Sequence, residues 1–282
     1  MKKAYPIALL CEVMDVSRSG YYAWRTREDS ARKKENRRLV PLIRELHRQS
    51  DRTYGTRRIA EDLQDCGIPC GRHRARTLMG LAGVSAKQTK KFRATTDSSH
   101  DLPVAPNLLG RDFSVDAPDR VWVSDITYVW TREGWLYLAV TIDLFSRIVV
   151  GWSMGERITR QLVMDALRMG VGRRRPAPGL MHHSDRGVQY CSEDFQKLLD
   201  ALKMACSMSR KGDCWDNAVA ESFFGTLKTE RVSFKSYRTR SEAKRDIVDY
   251  IEMFYNSRRR HSYLGYVSPK RFEEARLIQN AA

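Results

Sequence analysis

Between Val121 and Met154 the chain passes through three runs of β-branched and aromatic residues, VWVSDITYVW, WLYLAVTID and RIVVGWSM. Only Arg132-Glu133-Gly134 and Leu144-Phe145-Ser146 break them. Breaks this short admit hairpin connections and no crossover helix, so the stretch predicts an antiparallel meander. Downstream the pattern changes. Helical periodicity runs from Thr159 to Gly170, from Glu193 to Leu202 and from about Asn217 to Arg231. Between these helices, Leu180 to Ser184 and Met204 to Met208 read as short strands. Three hairpin strands followed by alternating helices and strands describe an α/β mixed-sheet layer.

Upstream the reading is all-α. YPIALLCEVMDVSRSGYYAW fits two short helices joined by a tight turn, with Ser17 as N-cap of the second and Arg18 near its start, where a recognition helix meets DNA. A basic amphipathic helix follows between Ser30 and Asp51, and then a second helical pair, Thr56 to Asp65 and Arg72 to Ala82. The last of these carries Arg72, Arg74 and Arg76, placed to meet phosphates. KQTKKFRATTDSSHDLPVAPNLLG lacks periodicity and reads as a linker. The expected boundaries are a helix-turn-helix-like region at 1–96, a linker at 97–118, a core at 119–232 and a basic helical segment at 233–282.

Charge follows the same division. Residues 1–96 hold 22 Lys and Arg against 10 Asp and Glu, a net charge of +12; residues 97–225 are at −2 and residues 226–282 at +6. Basic flanks around a near-neutral middle suit a polyanion held by both ends while the middle does something else, although a basic surface also serves membranes or acidic proteins. The apolar start is interrupted by Glu12 and Asp15, unlike a signal peptide, and the longest apolar runs are too short to span a bilayer, so the expected location is cytoplasmic. The six cysteines form no framework and read as reduced thiols. Cys66, Cys70 and His73 are the only cluster with metal-ligand character, and they lack the second ligand pair of a zinc site.

Three acids stand out. Asp125 lies inside a strand, where a lone buried carboxylate costs several kcal/mol unless paired. Asp185 ends the strand after LMHHS, and Gly187 lets the chain turn away. Glu221 sits on the helix DNAVAESFFGTLKTER, with Lys228 two turns later on the same face. Singly, each has a structural reading: a bond to a neighbouring strand, a turn, a solvated helix face. Converging at one sheet edge, three carboxylates repel unless a cation neutralises them, and hard oxygen donors suit Mg²⁺ or Mn²⁺. Of the neighbouring residues, Asp143 fits a cap or hairpin bond, Asn217 a helix cap, and His182, His183, Tyr190 and Trp215 core packing. Arg258, Arg259, Arg260 and His261 read as phosphate contacts.

WVSDITYV, LAVTIDLFSRIVVGW, HHSDRGVQYCS, DNAVAESFFGTLKTE and YNSRRRHSYLGYVSPKRFE, together with PVAPNLLGRDF, resemble the catalytic frame of the insertion-sequence-three family of bacterial transposases, with an integrase core of retroviral-integrase type. The resemblance runs from about Tyr54 to Phe272. It includes the spacing of a D,D(35)E signature, with 35 residues between Asp185 and Glu221. It implies an RNase H-like core with Asp125, Asp185 and Glu221 as ligands of Mg²⁺, with two ions and Mn²⁺ as a substitute. It further implies cleavage at transposon ends and strand transfer without a covalent protein-DNA intermediate, and Lys228 in contact with DNA near the scissile phosphate. The implied partners are inverted-repeat ends, target DNA, further copies of the chain and an upstream frame joined by ribosomal frameshifting. Two other classes compete. The Arg258 to Tyr263 run is superficially similar to tyrosine recombinases, but the rest of their basic constellation is not recognisable. A DNA-binding regulator without catalysis would use the basic first 96 residues and have no need of the acids.

Overall fold

The computed structural model describes residues 5–87, 103–210 and 214–281, apart from the side chains of residues 214, 215, 280 and 281. The chain divides between Ser85 and Ala86 into two compact units. The first is helical: α1 (Ile7–Val13), α2 (Arg18–Thr26), α3 (Ala31–Gln49), α4 (Thr56–Asp65) and α5 (Arg72–Ala82). Ser17 caps α2 as expected, its Oγ accepting Gly20 N at 3.0 Å. The helices α3, α4 and α5 close on Ile43, Ile59, Leu63 and Leu78, all fully buried. The last turn of α5 stops at Gly83, whose φ of 68° is the left-handed conformation that glycine adopts without strain.

In the second unit the meander forms as β1 (Val121–Thr131), β2 (Gly134–Asp143) and β3 (Val149–Gly155). It is followed by α6 (Arg160–Arg174), β4 (Met181–Ser184), α7 (Glu193–Ala201), β5 (Ala205–Met208) and α8 (Ala218–Glu230). The sheet order is β3-β2-β1-β4-β5. The pairings of β1 with β2 and of β2 with β3 are antiparallel, whereas β4 pairs parallel with both β1 and β5. This is the mixed sheet that the sequence pattern describes. A single apolar cluster, including Trp122, Leu162, Val163, Leu167, Tyr190, Phe195 and Leu199, joins the sheet to α6 and α7.

Local chemistry explains where elements start and stop. Asp143, fully buried at the end of β2, accepts Asp119 N at 2.9 Å, Ser146 N at 2.8 Å and Ser146 Oγ at 2.7 Å. That is the hairpin role expected of it, and the turn it ties delays β3 to Val149. Gly151 lets α6 touch β3 through backbone: a Cβ there would stand 2.1 Å from Ala166 O and 2.7 Å from Gly170 N. The helix α6 outruns its expected end at Gly170 because Arg174, in its last turn, pairs with Asp119 at 3.0 Å and Glu273 at 2.5 Å. Residues 106–109 run against β5: Pro106 O accepts Met208 N at 3.3 Å, and Ser207 Oγ accepts Leu108 N at 3.0 Å and Leu109 N at 3.3 Å. After α8 come α9 (Arg240–Asp249), a π-helical continuation at Tyr250–Tyr255, and α10 (Pro269–Ala281). Among the described residues no helix is long and apolar enough to cross a membrane.

Candidate active site

Strand register brings two of the three acids together. The parallel pairing of β1 with β4 sets Ser124 opposite Ser184, so the next residues come side by side: Asp125, still within β1, and Asp185, just past the end of β4. Asp125 Oδ1 accepts the N–H of Ile126 at 2.7 Å, and Asp185 Oδ1 accepts Gly187 N at 2.9 Å. The absence of a side chain at Gly187 makes the second contact comfortable, since a Cβ would lie 3.1 Å from Asp185 Oδ1. Burial pushes the Asp125 carboxyl well above the usual carboxylate range, and the neighbouring charge of Asp185 pushes it further in the same direction. The Ile126 N–H opposes this, Glu221 adds to it and Lys228 opposes it.

Glu221 stands in the first turn of α8, on its exposed side, where partial shielding by the protein raises its pKa. It is within electrostatic reach of Asp125. Among the described residues no three His, Cys, Asp or Glu side chains gather closely enough to hold a metal ion. The backbone therefore presents an acid pair with the third acid beside it. Lys228 is half-buried, with Nζ 5.0 Å from the ring centre of Tyr128; burial lowers its pKa and Asp125 works against that.

Beneath the pair lies a polar layer. His182 Nε2 meets Ser124 Oγ at 2.8 Å, Ser124 Oγ meets Thr141 Oγ1 at 3.0 Å, and His183 lies between Ser207 Oγ at 2.9 Å and Ser209 Oγ at 3.2 Å. Both histidines are buried strand residues, as expected, and burial is the main cause that lowers their pKa values from 6.5, to about 3 for His182 and about 4 for His183. A folded-state pKa below the unfolded one gives stability that is present above pH 6.5 and lost as pH falls through the folded values. In Asp125→Asn, where the opposing titration of that raised carboxyl is removed, the urea midpoint is expected to fall steadily from pH 7 to pH 4; a midpoint flat across that range in this variant would contradict neutral buried imidazoles.

Asn217 occupies the N-cap position of α8, yet its side chain makes no cap bond. Its Nδ2 instead donates to Ser124 O at 3.2 Å, tying the start of the glutamate helix to the strand residue before Asp125. The preceding Asp216 was not singled out from the sequence. Fully buried, it accepts from Arg111 Nε at 2.8 Å, Asn107 Nδ2 at 2.8 Å and Arg210 N at 2.8 Å. Burial would raise its pKa, but Arg210 and Arg111 hold it below the usual carboxylate range. The signal was present in the Asn107 to Arg111 stretch, whose polar side chains meet α8's entry some hundred residues later. The Trp215 side chain lies outside the described residues.

The basic residues divide. Arg18, Arg72, Arg76 and Arg258 are exposed, and Arg260 and His261 are half-buried. Arg260 Nη1 donates to Tyr266 O at 2.9 Å. Arg259 is buried rather than free to meet phosphate: its Nε and Nη2 each donate to Glu230 at 2.7 Å. Arg74 is also committed inside the protein, to Glu35 at 2.8 Å, Asn36 Oδ1 at 3.2 Å and Pro69 O at 3.2 Å, so it fastens α5 to α3. Cys70 is buried with its thiol on Gly71 O, while Cys66 and His73, the latter in the first turn of α5, are exposed, so the three do not gather into a ligand set. Tyr263 carries the Arg147 guanidinium 4.2 Å above its ring and donates its hydroxyl to Phe113 O at 3.3 Å, a contact between core and C-terminal segment and not a nucleophile's setting.

Comparison with known proteins agrees with this architecture. Models described as integrase core domain match residues 115–214 and 221–277, and one described as HTH-like domain matches residues 34–92. The insertion element IS600 uncharacterized 31 kDa protein of Shigella sonnei is 49% identical over 265 residues, 94% of this chain and 97% of its own. Transposase InsF for insertion sequence IS3A of Escherichia coli K12 is 40% identical over 275 residues, covering 97% and 96%. Among solved structures, the catalytic core domain of BIV integrase is 16% identical, with a TM-score of 0.44 over 58% of this chain and 99% of that one. With similarity of this strength running nearly end to end, the chain belongs to the integrase-core transposases of the insertion-sequence-three family.

Proposed function

We propose that Asp125, Asp185 and Glu221 form the reaction centre for cutting transposon ends and joining them to target DNA. The observation that carries this is the β1–β4 register, which sets two half-buried carboxylates side by side where β4 ends. Such a pair in a folded protein calls for a cation, and its donors are all hard oxygens, the set that fits Mg²⁺ or Mn²⁺. When bound, two such ions would supply charge stabilisation to the attacking and leaving oxygens of an in-line displacement. Asp125 and Asp185 hold the ligand oxygens at fixed spacing, and Glu221 completes the set from the first turn of α8. In cleavage, a water oxygen forms a bond to phosphorus as the bond to the 3′ oxygen breaks. In joining, a DNA 3′-hydroxyl takes the place of water, so the number of phosphodiester bonds is conserved and no residue of the chain becomes attached to DNA.

Lys228, aligned with Asp125 along α8 and β1, would meet a phosphate beside the scissile one. Arg18, Arg72, Arg76, Arg258, Arg260 and His261 would hold flanking DNA, with several copies of the chain bridging two ends in the cytoplasm and an upstream frame adding end specificity. The deciding experiment supplies labelled DNA carrying the element's ends to wild type and Glu221→Gln, with Mg²⁺, with Mn²⁺ or with chelator. Metal-dependent 3′-end cleavage and joining are expected from wild type, with a loss of about 10³-fold or more in the variant, the size that removing about 4 kcal/mol of transition-state stabilisation gives. Equal activity in the variant or in chelator would reject the assignment.

A further inference from the structure

The ring of Tyr190 belongs to the core and its hydroxyl does not. The residue is 1% exposed, with its ring 5.4 Å from Phe195 edge-on and 6.1 Å from His182. Both backbone groups are satisfied, N by Gly187 O at 2.9 Å and O by Gln196 Nε2 at 2.7 Å. The buried Oη has no hydrogen-bond partner in the protein among the described residues. Phenylalanine would fill the same space and avoid the stability cost of an unpaired buried hydroxyl. The same turn carries Asp185: the Cβ position of Gly187 lies 3.1 Å from Asp185 Oδ1 and 3.7 Å from Tyr190 Cδ2, so the carboxylate and the ring edge flank one glycine. Burial and then the charges of Asp125 and Asp185 raise the phenol pKa, which keeps it a neutral donor at physiological pH.

The ring edge and the Asp185 carboxylate flank one glycine, so the unpartnered hydroxyl is buried on the core side of the acid pair. We infer that Tyr190 is a positioning residue for the acid pair, its hydroxyl donating from the core side, directly or through one ordered water, to the Asp125 or Asp185 carboxylate once a divalent cation draws the outer oxygens away. This rests on the metal reading above. Carboxylates that ligate metal are commonly held by such donors, and losing one weakens metal binding by about 10- to 100-fold.

The test compares wild type with Tyr190→Phe, which keeps the ring and deletes the donor. Calorimetric titration with Mn²⁺ should give a Kd raised by about 10- to 100-fold in the variant. The metal-free variant should unfold at a urea concentration no lower than wild type, and its strand-transfer rate should approach wild type when Mn²⁺ is raised in proportion. An unchanged Kd overturns the inference; if the metal-free midpoint also falls, the hydroxyl serves the core instead. Absence of Mn²⁺ binding by wild type overturns the metal reading and this inference together, so the two failures are told apart.

Discussion

Asp125→Asn and Asp185→Asn are each expected to lower cleavage and joining by about 10³-fold or more, equivalent to about 4 kcal/mol of lost transition-state stabilisation, and to stabilise the metal-free protein at neutral pH. The two effects share one cause. In the folded chain Asp125 is half-buried with Asp185 alongside, so ionising both sets like charges together in a poorly solvated place. Asparagine keeps the shape, removes the charge and abolishes the site's attraction for a cation. The pH dependence follows from the direction of the shift. A carboxyl whose folded pKa is raised above its ordinary 3.8 binds its proton more tightly in the folded state. Its contribution to stability is therefore full below that ordinary value and is lost as pH rises through the folded one. In chelator, wild type should lose that contribution as pH rises above its ordinary 3.8 while Asp125→Asn does not, and Mn²⁺ should restore wild type alone. Melting curves at several pH values with and without Mn²⁺ measure this. A neutral-pH melting temperature lower in Asp125→Asn than in metal-free wild type would mean that the carboxylate serves as a structural acceptor.

Local patterns proved readable where a local cause decides the outcome. The alternation in VWVSDITYVW and its short breaks are sufficient for a meander, and Ser17 announces its helix because a cap is a contact across three residues. Strand order and parallel pairing, which set Asp125 beside Asp185, were not legible, because no local pattern tells β4 which edge to join. Distant partners were illegible for the same reason. Arg258, Arg259 and Arg260 are alike in sequence, but Arg259 is buried against an acid that another helix carries into the core, while Arg258 is exposed. Arg74 looks like its neighbours Arg72 and Arg76 until α3 supplies Glu35 and Asn36. Asn217 has the residue type and position of a cap, yet the β1 carbonyl competes for its amide. The polar side chains of residues 107–111 resembled a linker's because Asp216 and Ser207, which receive them, lie about a hundred residues away.

Arg259→Ala is expected to destabilise the protein by about 3–5 kcal/mol, the cost of leaving one partner of a buried ion pair behind. Glu230 is nearly inaccessible, and besides both guanidinium bonds it accepts the Tyr250 hydroxyl at 2.8 Å. Tyr255 lies below the guanidinium at 5.7 Å, so the group is enclosed by the end of α8 and the π-helical turn. Removing the arginine leaves the carboxylate without its two charged donors in a nearly inaccessible site. Lysine should recover little, because a point charge cannot replace two parallel N–H donors. Glu230→Gln combined with Arg259→Ala should be less destabilised than Arg259→Ala alone, since no charge is stranded. Urea unfolding of the three proteins measures the coupling, with a lower midpoint and an unchanged slope expected for the single variant. DNA binding supplies the contrast. Arg258→Ala, at the exposed neighbour, should reduce the salt dependence of DNA affinity by about one phosphate's worth with little change in the urea midpoint. If Arg259→Ala instead reduces that salt dependence and leaves the midpoint where it was, the arginine meets phosphate after all, and α8 must be fastened to the C-terminal segment by other contacts.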